Sequence, residues 1–305
     1  MVENMNIIVF GGSGFLGSHV CDKLSDAGHI VTIFDIAGSK YLRDDQKMIV
    51  GDILNEQKVK QAVKGKDIVF NFAGIADIGD ANNRPVDTVK YNILGNTILL
   101  EACCDSEVKR YVFASSAYVY SKSGGFYRCS KQACELYIEM FNKNYGLEYT
   151  ILRYGSLYGP RAGVDNAIFR FVAQALKEKK ISYEGSPESL REYIHVEDAA
   201  LCSLEILKSD YKNQNIILTG HQSITVGNVL KMIAEILGKD IEFVFEKDLA
   251  TKHYEITPYS FNPRIGKKLT TPFHEDLGQG ILRVIEEQYL EKHPDLNKEQ
   301  GLFLK

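Results

Sequence analysis

Tyr127 and Lys131, in the run Tyr127-Arg-Cys-Ser-Lys131, stand one helical turn apart. That spacing puts a phenol and an ammonium on the same helix face. A tyrosine with its ordinary pKa of about 10 is a poor base at neutral pH, and a nearby lysine favours its phenolate. Upstream, Arg110-Tyr-Val-Phe-Ala-Ser-Ser116 reads as a strand delivering a hydroxyl at its C-terminal end. Ser116, Tyr127 and Lys131 together form a set that can take a proton off a sugar hydroxyl as hydride leaves the same carbon. A surface tyrosine and lysine on an ordinary helix would look the same in isolation, so the preceding elements decide the matter.

Those elements suit a dinucleotide. Asn6-Ile-Ile-Val-Phe10 is a short apolar strand that breaks into Gly11-Gly-Ser-Gly-Phe-Leu-Gly17 and then into an amphipathic stretch. Gly11 permits the sharp turn, Gly14 lets a pyrophosphate approach the backbone, and Gly17 allows close helix packing. The helix N-terminus then faces the phosphates with free N–H groups. Ile30 to Asp35 follows as a second strand ending in an acid. There Asp35 would accept hydrogen bonds from both adenosine ribose hydroxyls and repel a 2′-phosphate, which favours NAD over NADP.

Further motifs stand in order along the chain: Gly51-Asp52-Ile53, Asn71-Phe72-Ala73-Gly74, Tyr91-Asn92, Ser115-Ser116-Ala-Tyr-Val-Tyr120, Leu152-Arg153-Tyr154 through Arg161, and Arg191 to Asp198. In this set the chain resembles the extended short-chain dehydrogenase/reductase family, the NAD-dependent epimerase/dehydratases of nucleotide sugars. The resemblance implies Ser116, Tyr127 and Lys131 as catalytic residues, with Ser116 rather than Ser115 as the catalytic hydroxyl. It implies NAD contacts from Gly11, Ser13, Gly14, Phe15, Leu16, Gly17, Asp35, Asp52, Ile53, Phe72, Ala73, Gly74, Asn92, Tyr127, Lys131 and Tyr154. Arg191 is the expected phosphate ligand of the substrate lobe, because a guanidinium grips phosphate bidentately. Asn166, opening a helix, is a second substrate candidate beside Ser116, and Arg264 lies where relatives place another phosphate-binding arginine. His195 reads as a packed strand histidine.

Departures from the family pattern narrow the reaction. Ala117 and Tyr118 stand where dehydratases carry an Asp-Glu pair, so the acid and base for elimination are missing. Gly155-Ser156 replaces the Phe-Asn common in uridine-binding relatives, and Ala76 a cofactor-binding lysine. Only residues 120–126 separate Val119 from Tyr127, where relatives interpose a longer loop that walls the sugar pocket. The expectation is oxidation at C4 of a GDP- or UDP-linked sugar. The net reaction expected is 4-dehydrogenation of a sugar made for cell-surface polysaccharide, with a GDP-linked hexose or heptose as one candidate substrate and 4-epimerisation as the alternative. A non-catalytic NAD-sensing or RNA-binding relative is the reading of another class, and the tyrosine–lysine pair speaks against it.

Composition agrees. The 305 residues carry 36 Lys and Arg against 40 Asp and Glu, a net charge of −4. That balance offers no nucleic-acid surface. No apolar run is long enough to span a bilayer and none reads as a signal peptide, so a cytoplasmic protein is expected. Six cysteines (Cys21, Cys103, Cys104, Cys129, Cys134 and Cys202) lie in helical patterns without metal spacing and read as free thiols. Strand and helix patterns alternate as in an α/β, Rossmann-type doubly wound parallel sheet with a smaller C-terminal α/β substrate lobe. Residues 1–155 read as the NAD-binding part, to which later segments return, and 156–305 mainly as the nucleotide-sugar lobe. The longest helices are expected over Pro85 to Ser106 and Tyr127 to Tyr145. A homodimer or homotetramer is the expected assembly.

Overall fold

Apolar, β-branched runs bounded by turns form parallel strands here because helices cover both sheet faces and bury them. The computed structural model of the chain describes residues 4–238, 240–246, 256–258, 266–271 and 273–293. Its first half runs β1 (Asn6–Phe10), α1 (Phe15–Asp26), β2 (Ile30–Asp35), β3 (Lys47–Val50), α2 (Glu56–Val63), β4 (Ile68–Asn71), α3 (Ile78–Asn83) and α4 (Pro85–Thr88). It continues through α5 (Gly95–Asp105), β5 (Arg110–Ser116), α6 (Gly125–Tyr145) and β6 (Glu148–Tyr154). The later elements are β7 (Ser156–Tyr158), α7 (Ala167–Glu178), β8 (Lys180–Glu184), β9 (Leu190–His195), α8 (Val196–Glu205) and β10 (Gln214–Leu218). Then come β11 (Ser223–Thr225), α9 (Val226–Leu237), β12 (Glu242–Glu246), β13 (Lys267–Lys268) and α10 (Leu277–Lys292).

An eight-stranded sheet in the order β13-β10-β6-β5-β4-β1-β2-β3 is parallel throughout, the doubly wound arrangement expected. The order reverses between β1 and β4, and the C-terminal ends of β1, β2, β4 and β5 open onto that crevice. Two cores flank the sheet. One gathers Ile8, Phe10, Val69, Leu99 and Phe113 under α2, α5 and α6; the other gathers Val9, Val20, Leu24, Phe70 and Leu152 under α1 and α8. A third core, with Tyr158, Phe171, Val172, Leu230 and Ile281, holds α7, α9 and α10 together away from the sheet. All six cysteines are free. Among the described residues no helix is long and apolar enough to cross a membrane.

One expected helix differs. Between Pro85 and Asp105 the chain is helical, but Val89–Leu94 widens into a π-type turn between α4 and α5. Such a turn inserts an extra residue and re-aims a side chain, here Asn92. The short strands β7, β8 and β11 and the helix α10 carry too little periodicity to be foreseen.

Helices α1 and α8 are tied by Glu197, whose carboxylate meets His19 Nδ1 at 2.7 Å and Lys23 Nζ at 2.7 Å. The His19 hydrogen bond, then Lys23, holds the Glu197 carboxyl down at about 2. A folded-state pKa below the ordinary value of 4.5 contributes stability that is whole above that value and is lost as pH falls toward 2. Glu197→Gln is therefore expected to lower the thermal midpoint at neutral pH and to leave wild type and variant equal near pH 2, as thermal melts across that range would read.

Candidate active site

The turn after β1 leaves no room for side chains. Gly11 has φ +78°, and a Cβ there would lie 2.6 Å from the Ala73 nitrogen. A Cβ on Gly17 would lie 2.2 Å from the Gly11 carbonyl oxygen. Helix α1 starts at Phe15 after Gly14, with no side chain capping it. The first-turn N–H groups, at Phe15 and Leu16 among others, are thus left for an anion. Ser13 N–H donates to Asp35 Oδ2 at 2.9 Å, and its hydroxyl to the Ala37 carbonyl at 3.1 Å. The acid at the end of β2 is thereby fixed beside the glycine turn. Asp52 Oδ1 accepts from Leu54 N–H, while the Ile53 side chain is buried against Gly95.

The strand-end segment Phe72-Ala73-Gly74 is held from behind. Asn92 Oδ1 accepts from Ile75 N–H at 2.7 Å, and its Nδ2 donates to the Ile75 carbonyl and to Ser130 Oγ. Gly74, at φ +139°, has no space for a Cβ against Asn92 Oδ1. Asn92 therefore couples the cofactor-side loop to α6, since Ser130 lies between Tyr127 and Lys131.

Helix α6 carries two of the expected catalytic side chains, Tyr127 and Lys131, and β5 ends on the third, Ser116. Lys131 is 6 % exposed, its Nζ donating to the Ala114 carbonyl at 2.8 Å and lying 5.7 Å from the Tyr127 ring centroid. Burial draws the Lys131 pKa below its ordinary value. Ser116 Oγ accepts from Tyr118 N–H at 3.2 Å, and the Tyr118 ring stands edge-on to the Tyr127 ring at 6.3 Å between centroids. A buried ammonium facing a phenol, with a hydroxyl hydrogen-bonded to the phenol's neighbour Tyr118, can run proton transfer at a secondary alcohol. The glycine turn, Asp35 and the orphan N–H groups of α1 fit a dinucleotide diphosphate and an unphosphorylated ribose.

A family model, described as the NAD dependent epimerase/dehydratase family, matches residues 7–219. The chain belongs to this family. It is an enzyme that acts on nucleotide sugars with NAD as cofactor. A UDP-glucose 4-epimerase of Yersinia enterocolitica is 28 % identical over 290 residues, covering 78 % of this chain and 84 % of that protein. The crystal structure of UDP-glucose 4-epimerase with UDP-glucose from Thermotoga maritima superposes with a TM-score of 0.80 at 26 % identity, over 94 % of this chain and 100 % of that one. That of the UDP-glucuronic acid 4-epimerase of Bacillus cereus, at 23 % identity, gives a TM-score of 0.84 over the same shares and speaks to the fold.

On the substrate side, Arg191 and Asn166 line one cleft of about 170 Å³ with Tyr118, Ser156, Tyr183 and Tyr193. Asn166 opens α7 as expected: Oδ1 accepts from Phe169 N–H, capping the helix, and Nδ2 donates to the Leu157 carbonyl. Both ends of its amide are committed within the protein. Arg191 donates to the Leu190 carbonyl at 2.8 Å and to Tyr183 Oη at 3.4 Å. The Tyr154 hydroxyl shares a hydrogen bond with Ser203 Oγ at 2.7 Å inside the core, so a cofactor contact at this position falls to its backbone. His195 is a buried strand-end histidine whose Nδ1 accepts from Glu197 N–H, and burial lowers its pKa to about 4. Arg264 lies outside the described residues. No group of three or more His, Cys, Asp and Glu among the described residues could hold a metal ion.

Sequence reasoning missed a network behind α6. Glu135, one turn after Lys131, accepts from Ser115 Oγ at 2.6 Å and from Arg153 at 2.6 and 2.9 Å. The signal was present in the i, i+4 spacing of Lys131 and Glu135, but its partner on β6 is reached only through the fold.

Asn92→Ala should leave Ile75 N–H and Ser130 Oγ without their partner. The expected loss is about 1–3 kcal/mol of stability, with weaker NAD binding, read by denaturant titration and calorimetry. Unchanged NAD affinity would break the coupling between this turn and the cofactor loop.

Proposed function

We propose that this enzyme is an NAD-dependent 4-epimerase of a UDP-linked hexose. The reading is carried by Lys131 set 5.7 Å from the Tyr127 ring, with Tyr118 bridging that ring to Ser116 at the end of β5, in a chain whose relatives include 4-epimerases of UDP-sugars. These comparisons favour epimerisation and uridine nucleotides over the net dehydrogenation and GDP-sugars expected from the sequence.

In this reading the glycine turn and the N-terminus of α1 hold the cofactor diphosphate. Asp35 accepts both adenosine ribose hydroxyls, Asp52 stands beside the adenine, and Asn92 keeps Ala73 and Gly74 against the dinucleotide. NAD, when bound, supplies a hydride acceptor that can return the hydride to the carbon that lost it. Ser116, its oxygen occupied by Tyr118 N–H, turns its own proton toward the sugar O4 and orients it. Tyr127 takes the O4 proton as C4 is oxidised and gives it back when C4 is reduced from the other face. Lys131 lies beneath the phenol and lowers the cost of its anion. Residues 156–305 serve mainly as the nucleotide-sugar lobe, with Arg191 at the diphosphate. Ala117 and Tyr118 offer no carboxylates for elimination, so the 4-keto stage is reversed and not dehydrated.

The test is NAD-loaded protein incubated with UDP-glucose, UDP-galactose and their N-acetylated counterparts, followed by proton NMR. Interconversion of C4 epimers without accumulating NADH supports the reading. Stoichiometric NADH with released ketosugar would replace it by the dehydrogenase. Tyr127→Phe is expected to cut turnover by about a hundred- to ten-thousand-fold while leaving NAD bound. Asp35→Ala should narrow the preference for NAD over NADP, measured as the ratio of their dissociation constants.

A further inference from the structure

The short connection between β5 and α6 removes chain from one side of the cleft, and an open site would let water in and ketosugar out. The structure fills that side with a single ring. Tyr118 lines the same cleft as Arg191, Tyr183 and Tyr193. Its ring packs edge-on against Tyr127 at 6.3 Å, and its backbone N–H donates to Ser116 Oγ at 3.2 Å. One residue thus touches two members of the catalytic set and the substrate cleft at once.

The loop is built to seat this ring. Gly124 has φ +97°, and a Cβ there would lie 2.7 Å from Tyr118 Cδ1. Both the backbone conformation and the contact demand glycine. Gly125 follows at φ +48°, where a Cβ would overlap the Asn82 side chain, and Phe126 N–H donates to Asn82 Oδ1 at 3.0 Å. On the other flank, Arg128 donates to the Ser121 carbonyl at 2.8 Å, and Ser121 N–H to the Tyr118 carbonyl at 2.9 Å. Hydrogen bonds at both ends therefore fix residues 118–126, and the backbone under Tyr118 is shaped to its face.

We propose that Tyr118 is the wall of the sugar subsite, a specificity-determining residue that confines the hexose beside Tyr127 in place of the missing loop. A rigid aromatic face offers large apolar area to the C–H face of a pyranose, and two χ angles leave it little freedom to swing away. The inference rests on the nucleotide-sugar reading above and adds to it which residue bounds the sugar. Because the contact is with the sugar and not the nucleotide, its loss should weaken UDP-hexose binding relative to UDP. It should also let the oxidised sugar leave before hydride returns, stranding NADH on the enzyme.

The experiment compares NAD-loaded wild type, Tyr118→Ala and Tyr118→Phe. Calorimetry gives the dissociation constants for UDP and UDP-glucose, and NADH fluorescence the fraction of turnovers that end with reduced cofactor. In Tyr118→Ala the advantage of UDP-glucose over UDP should fall by about tenfold, and NADH should accumulate. Tyr118→Phe, which keeps the ring, should restore both. Equal NAD affinity in all three shows that the fold is intact. A wild-type UDP-glucose to UDP ratio retained in Tyr118→Ala overturns the proposal, as does a wild type for which the sugar adds nothing to UDP binding. A wild type that binds UDP-glucose but leaves C4 unaltered refutes the epimerase reading alone, and the binding ratio then still decides the role of Tyr118.

Discussion

The buried ion pair between Glu135 on α6 and Arg153 on β6 fixes where the catalytic helix sits. Their side chains are 4 % and 1 % exposed, and the guanidinium reaches both carboxylate oxygens. Two charges out of water are costly unless every remaining hydrogen bond is made. Here they are shared out: Ser115 donates to the carboxylate, Arg153 donates to the Tyr120 hydroxyl, and Gly266 N–H meets that same hydroxyl at 2.8 Å. Removing one partner would strand the other in the core, at about 3–5 kcal/mol. The pair thus joins the strand that carries Ser116, the helix that carries Tyr127 and Lys131, and the segment at Gly266.

Around this anchor the helix is held on other sides as well. Lys131 donates to the Ala114 carbonyl, Gln132 to the Val119 carbonyl, and the Cys134 thiol to the Asn92 carbonyl. Asn92 bonds in turn to Ser130 and to the loop at Ile75. Proton transfer needs its groups held within fractions of an ångström, and rigid elements do this better than loops. The loop at Ile75, the strand that carries Ser116 and the helix that carries Tyr127 and Lys131 are accordingly one hydrogen-bonded unit, beside the cleft lined by Tyr118 and Arg191.

How much of this was legible in the sequence depends on the range of the interactions. The glycine turn and Asp35 could be read because their reasons are local: a strand end, a turn with no room for Cβ, and an acid after the next strand. That Tyr127 and Lys131 share a helix face could be read from their spacing, while the role proposed for them needed the glycine turn and the serine strand before them. What escaped depends on residues far apart in the chain. Asn166 has the composition of a ligand, yet the helix start it caps and the Leu157 carbonyl claim its amide. Tyr154 lies in a motif, but a partner 49 residues away draws its hydroxyl into the core. The π-type turn at Val89–Leu94 leaves no mark in hydrophobic periodicity, although it is what aims Asn92. A short loop reads as a missing wall until the ring of Tyr118 is seen over Gly124.

Epimerisation as proposed requires that hydride leave and return at the same carbon of one bound sugar. UDP-glucose carrying deuterium at C4 tests it directly, with product UDP-galactose analysed by mass spectrometry and NMR after turnover in ordinary water. Retention of the deuterium at C4 of the galactose product is the predicted result. Loss of the label to solvent, or its appearance in released NADH with no epimer formed, would contradict it.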